Sequence, residues 1–169
     1  EEGIGGGNVA RNAAISARLG GIEMSGDGST SGTAGTRTTT GLASGDAGHI
    51  TINATGAVNL RGAVTANGGT AGVDTSGRTG GTVAITGAGV TTGTLTASGS
   101  NGNGADQPGG AGGTLNITST NGVTTGALTA SGGNAGPGTA AGGQAGSLTV
   151  TNSTAGNLTV GALTARTGN

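Results

Sequence analysis

Residues 122–131 read GVTTGALTAS and residues 89–98 read GVTTGTLTAS, so ten positions recur 33 residues apart with one change, Thr94 against Ala127. Neither copy holds an acid, a base, a thiol or an aromatic ring. Repetition of such words is what stacking asks of a chain, because a ladder works best when like side chains sit on like.

Outward from these words, four copies align: HITINATGAVNLRGAVTANGG from His49, TVAITGAGVTTGTLTASGS from Thr82, TLNITSTNGVTTGALTASGG from Thr114 and SLTVTNSTAGNLTVGALTAR from Ser147. Their starts lie 33, 32 and 33 residues apart, and a fixed period of this size marks a solenoid. A weaker copy precedes them, with Val9, Ile15, Ile22 and Met24 in the apolar slots and GIEMSGDG where GALTASGG stands later. The expected organisation is one domain over 1–169. It has a weak first coil at 1–48, including a long insert at 25–48, and regular coils at 49–81, 82–113, 114–146 and 147–169.

Apolar and polar residues alternate within each copy, as in Leu115-Asn116-Ile117 and Leu163-Thr164-Ala165. A period of two is the pattern of a strand with one buried face. Three short strands per copy are expected, with Gly or Asn-Gly at the corners to supply sharp bends. The expected fold is all-β, a parallel β-helix of about five coils. The column Ile22, Val64, Leu95, Leu128 and Leu163 is assigned to its interior, and the column Thr65, Thr96, Thr129 and Thr164 to its outer surface. One coil alone buries too few small aliphatic side chains to offset the entropy of ordering it, so it needs neighbours on both sides.

Composition narrows the function. The chain has 43 Gly and no Phe, Trp or Tyr, so it lacks the large side chains of an ordinary globular core. It carries six Arg, no Lys and seven acids, for a net charge of −1. That balance leaves no electrostatic footprint for nucleic acid or anionic lipid. No apolar run approaches the length of a membrane span, so neither nucleic acid nor membrane insertion is expected. The absence of Cys excludes disulfides and thiolate metal sites. With 31 Thr and only two Pro, the β-forming residues cluster in short runs, unlike the charge-rich and Pro-rich composition of disorder.

Between the copies lie glycine-rich inserts at 25–48, 67–81, 98–113 and 131–146. All leave the scaffold at one corner and are expected along one side as solvated loops. Spacings such as Gly69 to Gly72 and Gly133 to Gly136 raise the alternative of an ordered layer with a polyproline-like rhythm, which breaks too soon for collagen. The chain opens with EEGIGGGNV and closes with ARTGN. Joined end to start, these words would continue a coil, so the array reads as open: part of a longer parent chain, or a unit that self-associates head to tail into a homopolymer.

No catalytic, cofactor or metal residue is assigned, and an enzyme is not expected. His49 is the one histidine and sits at a strand start; Asp27, Asp46, Asp74 and Asp106 lie in inserts, where Asp serves turns. GNGAD at 102–106 is one imperfect copy of a calcium-repeat word whose site needs tandem copies. Glycine-rich stretches are followed by no Lys and no helix pattern, so nucleotide binding fails its context. Asn53, Asn116, Asn152 and Asn157 each begin an Asn-X-Thr sequon, a number that composition alone explains. Thr94 beside Thr96 and Thr149 beside Thr151 resemble the TxT faces of β-solenoid ice-binding proteins, although most copies carry Ala in the first of these ranks. A surface ligand of this kind, ice or a host surface, is the alternative to a purely structural role.

With TLNITSTNGVTTGALTASGG and SLTVTNSTAGNLTVGALTA in view, the chain resembles the repeat region of the large bacterial exoproteins related to filamentous haemagglutinin, the β-strand-repeat adhesins. The resemblance covers residues 49–169 well and 1–48 loosely. It implies a right-handed parallel β-helix exported to the bacterial cell surface or beyond, serving as an adhesin stalk, a fibre or part of a biofilm matrix.

Overall fold

The computed structural model of the chain describes residues 13–17, 22–24, 28–29, 45–154 and 156–169. Val9, Asp27 and most of the first insert lie outside the described residues. Among these described residues every element is a strand, and the strands come in threes. They are β1 (Ala13–Ala17), β2 (Ile22–Met24) and β3 (Gly28–Ser29); β4 (His49–Ala54), β5 (Val58–Leu60) and β6 (Val64–Thr65); β7 (Thr82–Gly87), β8 (Val90–Thr92) and β9 (Leu95–Thr96). Next come β10 (Thr114–Ser119), β11 (Val123–Thr125) and β12 (Leu128–Thr129), then β13 (Ser147–Asn152), β14 (Leu158–Val160) and β15 (Leu163–Thr164).

Each triad gives one strand to each of three five-stranded sheets, ordered β1-β4-β7-β10-β13, β2-β5-β8-β11-β14 and β3-β6-β9-β12-β15. All named pairings are parallel and residue-for-residue, as in Val64↔Leu95↔Leu128↔Leu163. This is a β-solenoid with a period near 33 residues. Five strand levels are stacked, and three of them, 49–81, 82–113 and 114–146, close full turns with their inserts.

The alternation becomes burial in a regular way. In β4, Ile50, Ile52 and Ala54 are buried while His49, Thr51 and Asn53 are exposed. β7 and β10 repeat the pattern. The core is therefore a set of columns along the axis, including Ile52-Ile85-Ile117, Val58-Val90-Val123 and Ala66-Ala97-Ala130. Small residues suffice because the interior is narrow. In these columns each side chain meets a like one in the next coil, at the strand spacing of about 4.8 Å.

One column assignment needs correction. Ile22 pairs with Val58 in the second sheet, and Gly28 pairs with Val64 in the third. The likeness of GIEMSGDG to GALTASGG favoured the third strand, but that strand is two residues long and has a single inward position. Ile22-Glu23-Met24 carries two alternating apolar residues, which match Val58-Asn59-Leu60. The interior column of the third sheet thus runs Val64, Leu95, Leu128 and Leu163 over a glycine.

Among the described residues no helix is long and apolar enough to cross a membrane.

Candidate functional site

The inserts at 67–81, 98–113 and 131–146 form an ordered second layer, which corrects the expectation of solvated loops there. Each of these three continues outward from its third strand and returns to begin the next coil. Along the outward runs, successive N–H groups take three kinds of partner in rotation.

At the first position the amide donates to a side-chain oxygen of the preceding coil. Ser98 N donates to Asn67 Oδ1 at 2.7 Å, Asn134 N to Asn101 Oδ1 at 2.8 Å and Asn169 N to Asn134 Oδ1 at 3.1 Å. At the second it donates to a carbonyl of the following coil: Gly68 N to Ser98 O, Gly99 N to Ser131 O and Gly132 N to Arg166 O, all at 2.8 to 2.9 Å. At the third it turns sideways to a return run, from Ser100 N to Arg78 O, Gly133 N to Gly110 O and Gly168 N to Gly143 O. Three residues per turn with no bond inside the strand is the polyproline II pattern, which leaves each backbone group free for a neighbour.

The sideways bonds link into one chain across the layer. Gly168 N donates to Gly143 O, Gly143 N to Gly133 O, Gly133 N to Gly110 O, Gly110 N to Ser100 O and Ser100 N to Arg78 O. Glycine is required here by close approach: a Cβ on Gly143 would overlap the Gly110 carbonyl, and one on Gly168 would overlap that of Gly133. The recurring words SGSN at 98–101 and SGGN at 131–134 were the available signal for this layer. They place the acceptor side chains at the same positions in successive coils.

At the insert tips, Asp74 and Asp106 adopt positive φ of 52° and 55°, as expected of turn residues. Asp106 also spans two coils, because its Oδ1 accepts from Thr139 N at 2.7 Å and from Thr139 Oγ1 at 3.0 Å. These bonds, the backbone one foremost, hold its carboxyl below the usual carboxylate range. Asp46 Oδ1 similarly accepts from Thr79 N at 2.8 Å. Among the described residues no cluster of three or more His, Cys, Asp or Glu is placed to hold a metal.

The outer ladders differ in exposure. Thr65, Thr96, Thr129 and Thr164 stack in register as expected, but each is half-buried at the corner where the inserts leave. A broader array lies on the first sheet. There HITINA, TVAITG, TLNITS and SLTVTN stack with their first, third and fifth residues outward. His49 is the exposed first residue of this sheet and stacks on Thr82. Asn53 and Asn116 stand exposed on the same face, and Asn157 is exposed at a corner. Asn152 is engaged: its Oδ1 accepts from Gly122 N at 2.9 Å, and its Nδ2 donates to Gly156 O at 2.7 Å.

The site is thus an architecture: a core of ladders, a hydrogen-bonded glycine layer and regular polar faces. Comparison of the chain with protein families, with curated proteins and with solved structures finds no match.

Proposed function

We propose that this chain is a secreted structural protein that builds an extracellular fibre, adhesin shaft or matrix by stacking solenoid coils. The observation that carries the reading is the repetition of one set of bonds between successive coils, in the strands and in the inserts alike. Such a design transmits order along a single axis and displays side chains at fixed intervals. The resemblance to bacterial exoprotein repeats supports export to the cell surface.

In this reading a further coil stacks on the level at 147–169. Leu158 and Leu163 are 54% and 60% exposed, whereas their partners Val123 and Leu128 in the coil beneath are each 1% exposed. A further coil placed on this level, from the same chain or from a second copy, would bury both leucines and pair the open strand edges.

Electron microscopy of the purified protein tests the reading. Five levels span about 24 Å at the strand spacing. Filaments much longer than this, growing with concentration, are expected of a self-stacking unit. Particles that hold the length of one stack at every concentration would overturn head-to-tail assembly.

A further inference from the structure

We propose that the level at 147–169 docks the acidic end of a second copy, with Arg166 as the charge that selects which end docks. The inference rests on the head-to-tail reading and names what that face binds.

Arg166 breaks a column otherwise made of acceptors. Asn67, Ser98, Ser131 and Arg166 follow one another in successive coils where the inserts leave the scaffold. Ser98 N donates to Asn67 Oδ1, Ser131 N to Ser98 Oγ and Arg166 N to Ser131 Oγ. Carboxamide and hydroxyl oxygens accept, whereas a guanidinium only donates. A coil laid over Arg166 therefore meets a cation where the coils beneath offer an acceptor. Arg166 is exposed, and no residue among those described bonds its guanidinium. It is the one charged residue of 147–169, on the same level as the exposed Leu158 and Leu163.

The opposite end carries the complementary charge. Five of the seven acids and three of the six Arg fall within 1–48, which is net −2, while 147–169 is net +1. Strands β1, β2 and β3 are the terminal strands of the three sheets at that end, as β13, β14 and β15 are at the other. Every pairing between named strands is parallel, so a second copy that continues the stack sets its β2 on β14 and its β3 on β15 with unchanged polarity. In the register the chain repeats, its Ile22 and Met24 extend the columns of Leu158 and Val160. Glu23 lies between those two residues in sequence, and Asp27 directly precedes β3. The incoming level thus brings acids to the level that holds Arg166.

Charge decides among the ways two ends can meet. Two faces at 147–169 brought together oppose Arg166 to Arg166, and two acidic ends repel likewise, whereas the mixed contact joins opposite signs. Charges are felt over a Debye length, about 8 Å at physiological salt, before the leucines touch anything. An exposed ion pair adds little affinity; what it adds here is direction.

The test is the critical concentration for filament growth, read by light scattering and electron microscopy at low and high NaCl. It compares the 169-residue chain with three variants, each shown to be folded by circular dichroism. Arg166→Glu reverses the charge, and Arg166→Ser restores a hydroxyl to the acceptor column. Thr91→Glu adds a negative charge to the exposed outer face of the second sheet. The critical concentration of the parent should rise with salt, and Arg166→Glu should raise it about two- to tenfold at low salt. Arg166→Ser should flatten the salt dependence, and Thr91→Glu should match the parent. Parent filaments that are indifferent to salt and equalled by Arg166→Glu would overturn this inference and leave head-to-tail stacking in place. Equal effects of Arg166→Glu and Thr91→Glu would do the same. A parent chain that stays single at every concentration would overturn stacking and the docking of a second copy together.

Discussion

The amide of Asn134 donates to Oδ1 of Asn101 at 2.8 Å, joining residues 33 positions apart in sequence and one coil apart in space. Asn134 Oδ1 in turn accepts from Asn169 N. Together with Ser98 and Ser131, whose Oγ atoms accept from Ser131 N and Arg166 N, these side chains close backbone N–H groups that the glycine layer leaves without a carbonyl partner.

Removing that acceptor should be felt in proportion to its exposure. Asn101 lies at the solvent-exposed edge of the layer, so water can replace part of what Asn101→Ala removes. A loss of about 0.5–1.5 kcal/mol is expected from urea denaturation. Asn101→Asp keeps an acceptor oxygen and should recover most of it. Equal losses in the two variants would show that the bond contributes nothing.

Gly143 and Gly89 separate two uses of glycine. A Cβ on Gly143 overlaps the Gly110 carbonyl, whereas the nearest atom to a Cβ on Gly89 is Asn121 O at 3.5 Å. Gly143→Ala should cost about 1–3 kcal/mol, as overpacking does in a core. Gly89→Ala should stay within about 1 kcal/mol of the parent, helped by the lower entropy of its unfolded chain. Comparable denaturation midpoints for the two variants would show that the layer can spread apart at no cost.

Leu128 is 1% exposed and sits between Leu95 and Leu163. Truncation to Ala should cost about 2–5 kcal/mol. Leu128→Asp places a carboxylate among Ala and Leu columns with no countercharge and should abolish the cooperative transition seen by circular dichroism. A normal melt for Leu128→Asp would mean that this column does not face inward.

The solenoid was legible because each strand writes its burial in alternate letters, as Leu115-Asn116-Ile117 does, and because the words return at a constant interval. Ile22 was misplaced because resemblance of glycine-containing words outweighed the count of inward positions. The glycine layer was hidden for a different reason. Its bonds run between backbone groups such as Gly133 N and Gly110 O, and glycine letters look the same in a solvated loop and in a close-packed sheet. Only Ser98, Ser131, Asn101 and Asn134 marked the layer, through their recurrence. The array on the first sheet was obscured because its columns mix Thr with Asn and Ala, so the face emerges only when strands of different wording are laid side by side.

Thr125 offers a stabilising change. Its side chain is 6% exposed and its hydroxyl has no hydrogen-bond partner. The same column holds Leu60 and Val160, so an apolar side chain already fits this environment in other coils. Thr125→Val preserves the shape and removes a buried, unpaired hydroxyl, which should raise stability by about 1 kcal/mol. A lower melting temperature for the variant would mean that the hydroxyl is bonded in solution.

Asp106 predicts a pH dependence whose sign follows from its partners. The bonds from Thr139 lower its pKa in the folded chain, so folding favours the carboxylate. Its contribution is complete above the unfolded value and disappears as pH falls through the folded one. Asp106→Asn retains an acceptor oxygen but no charge, and Asn tolerates the positive φ of this position. The parent chain should therefore melt higher than Asp106→Asn near neutral pH, with the gap closing as the solution is acidified below the carboxylate range. The gap should be small, because the carboxylate is solvent-exposed and screened. A gap that stays constant with pH would assign the effect to packing, and one that widens in acid would reverse the sign of the coupling.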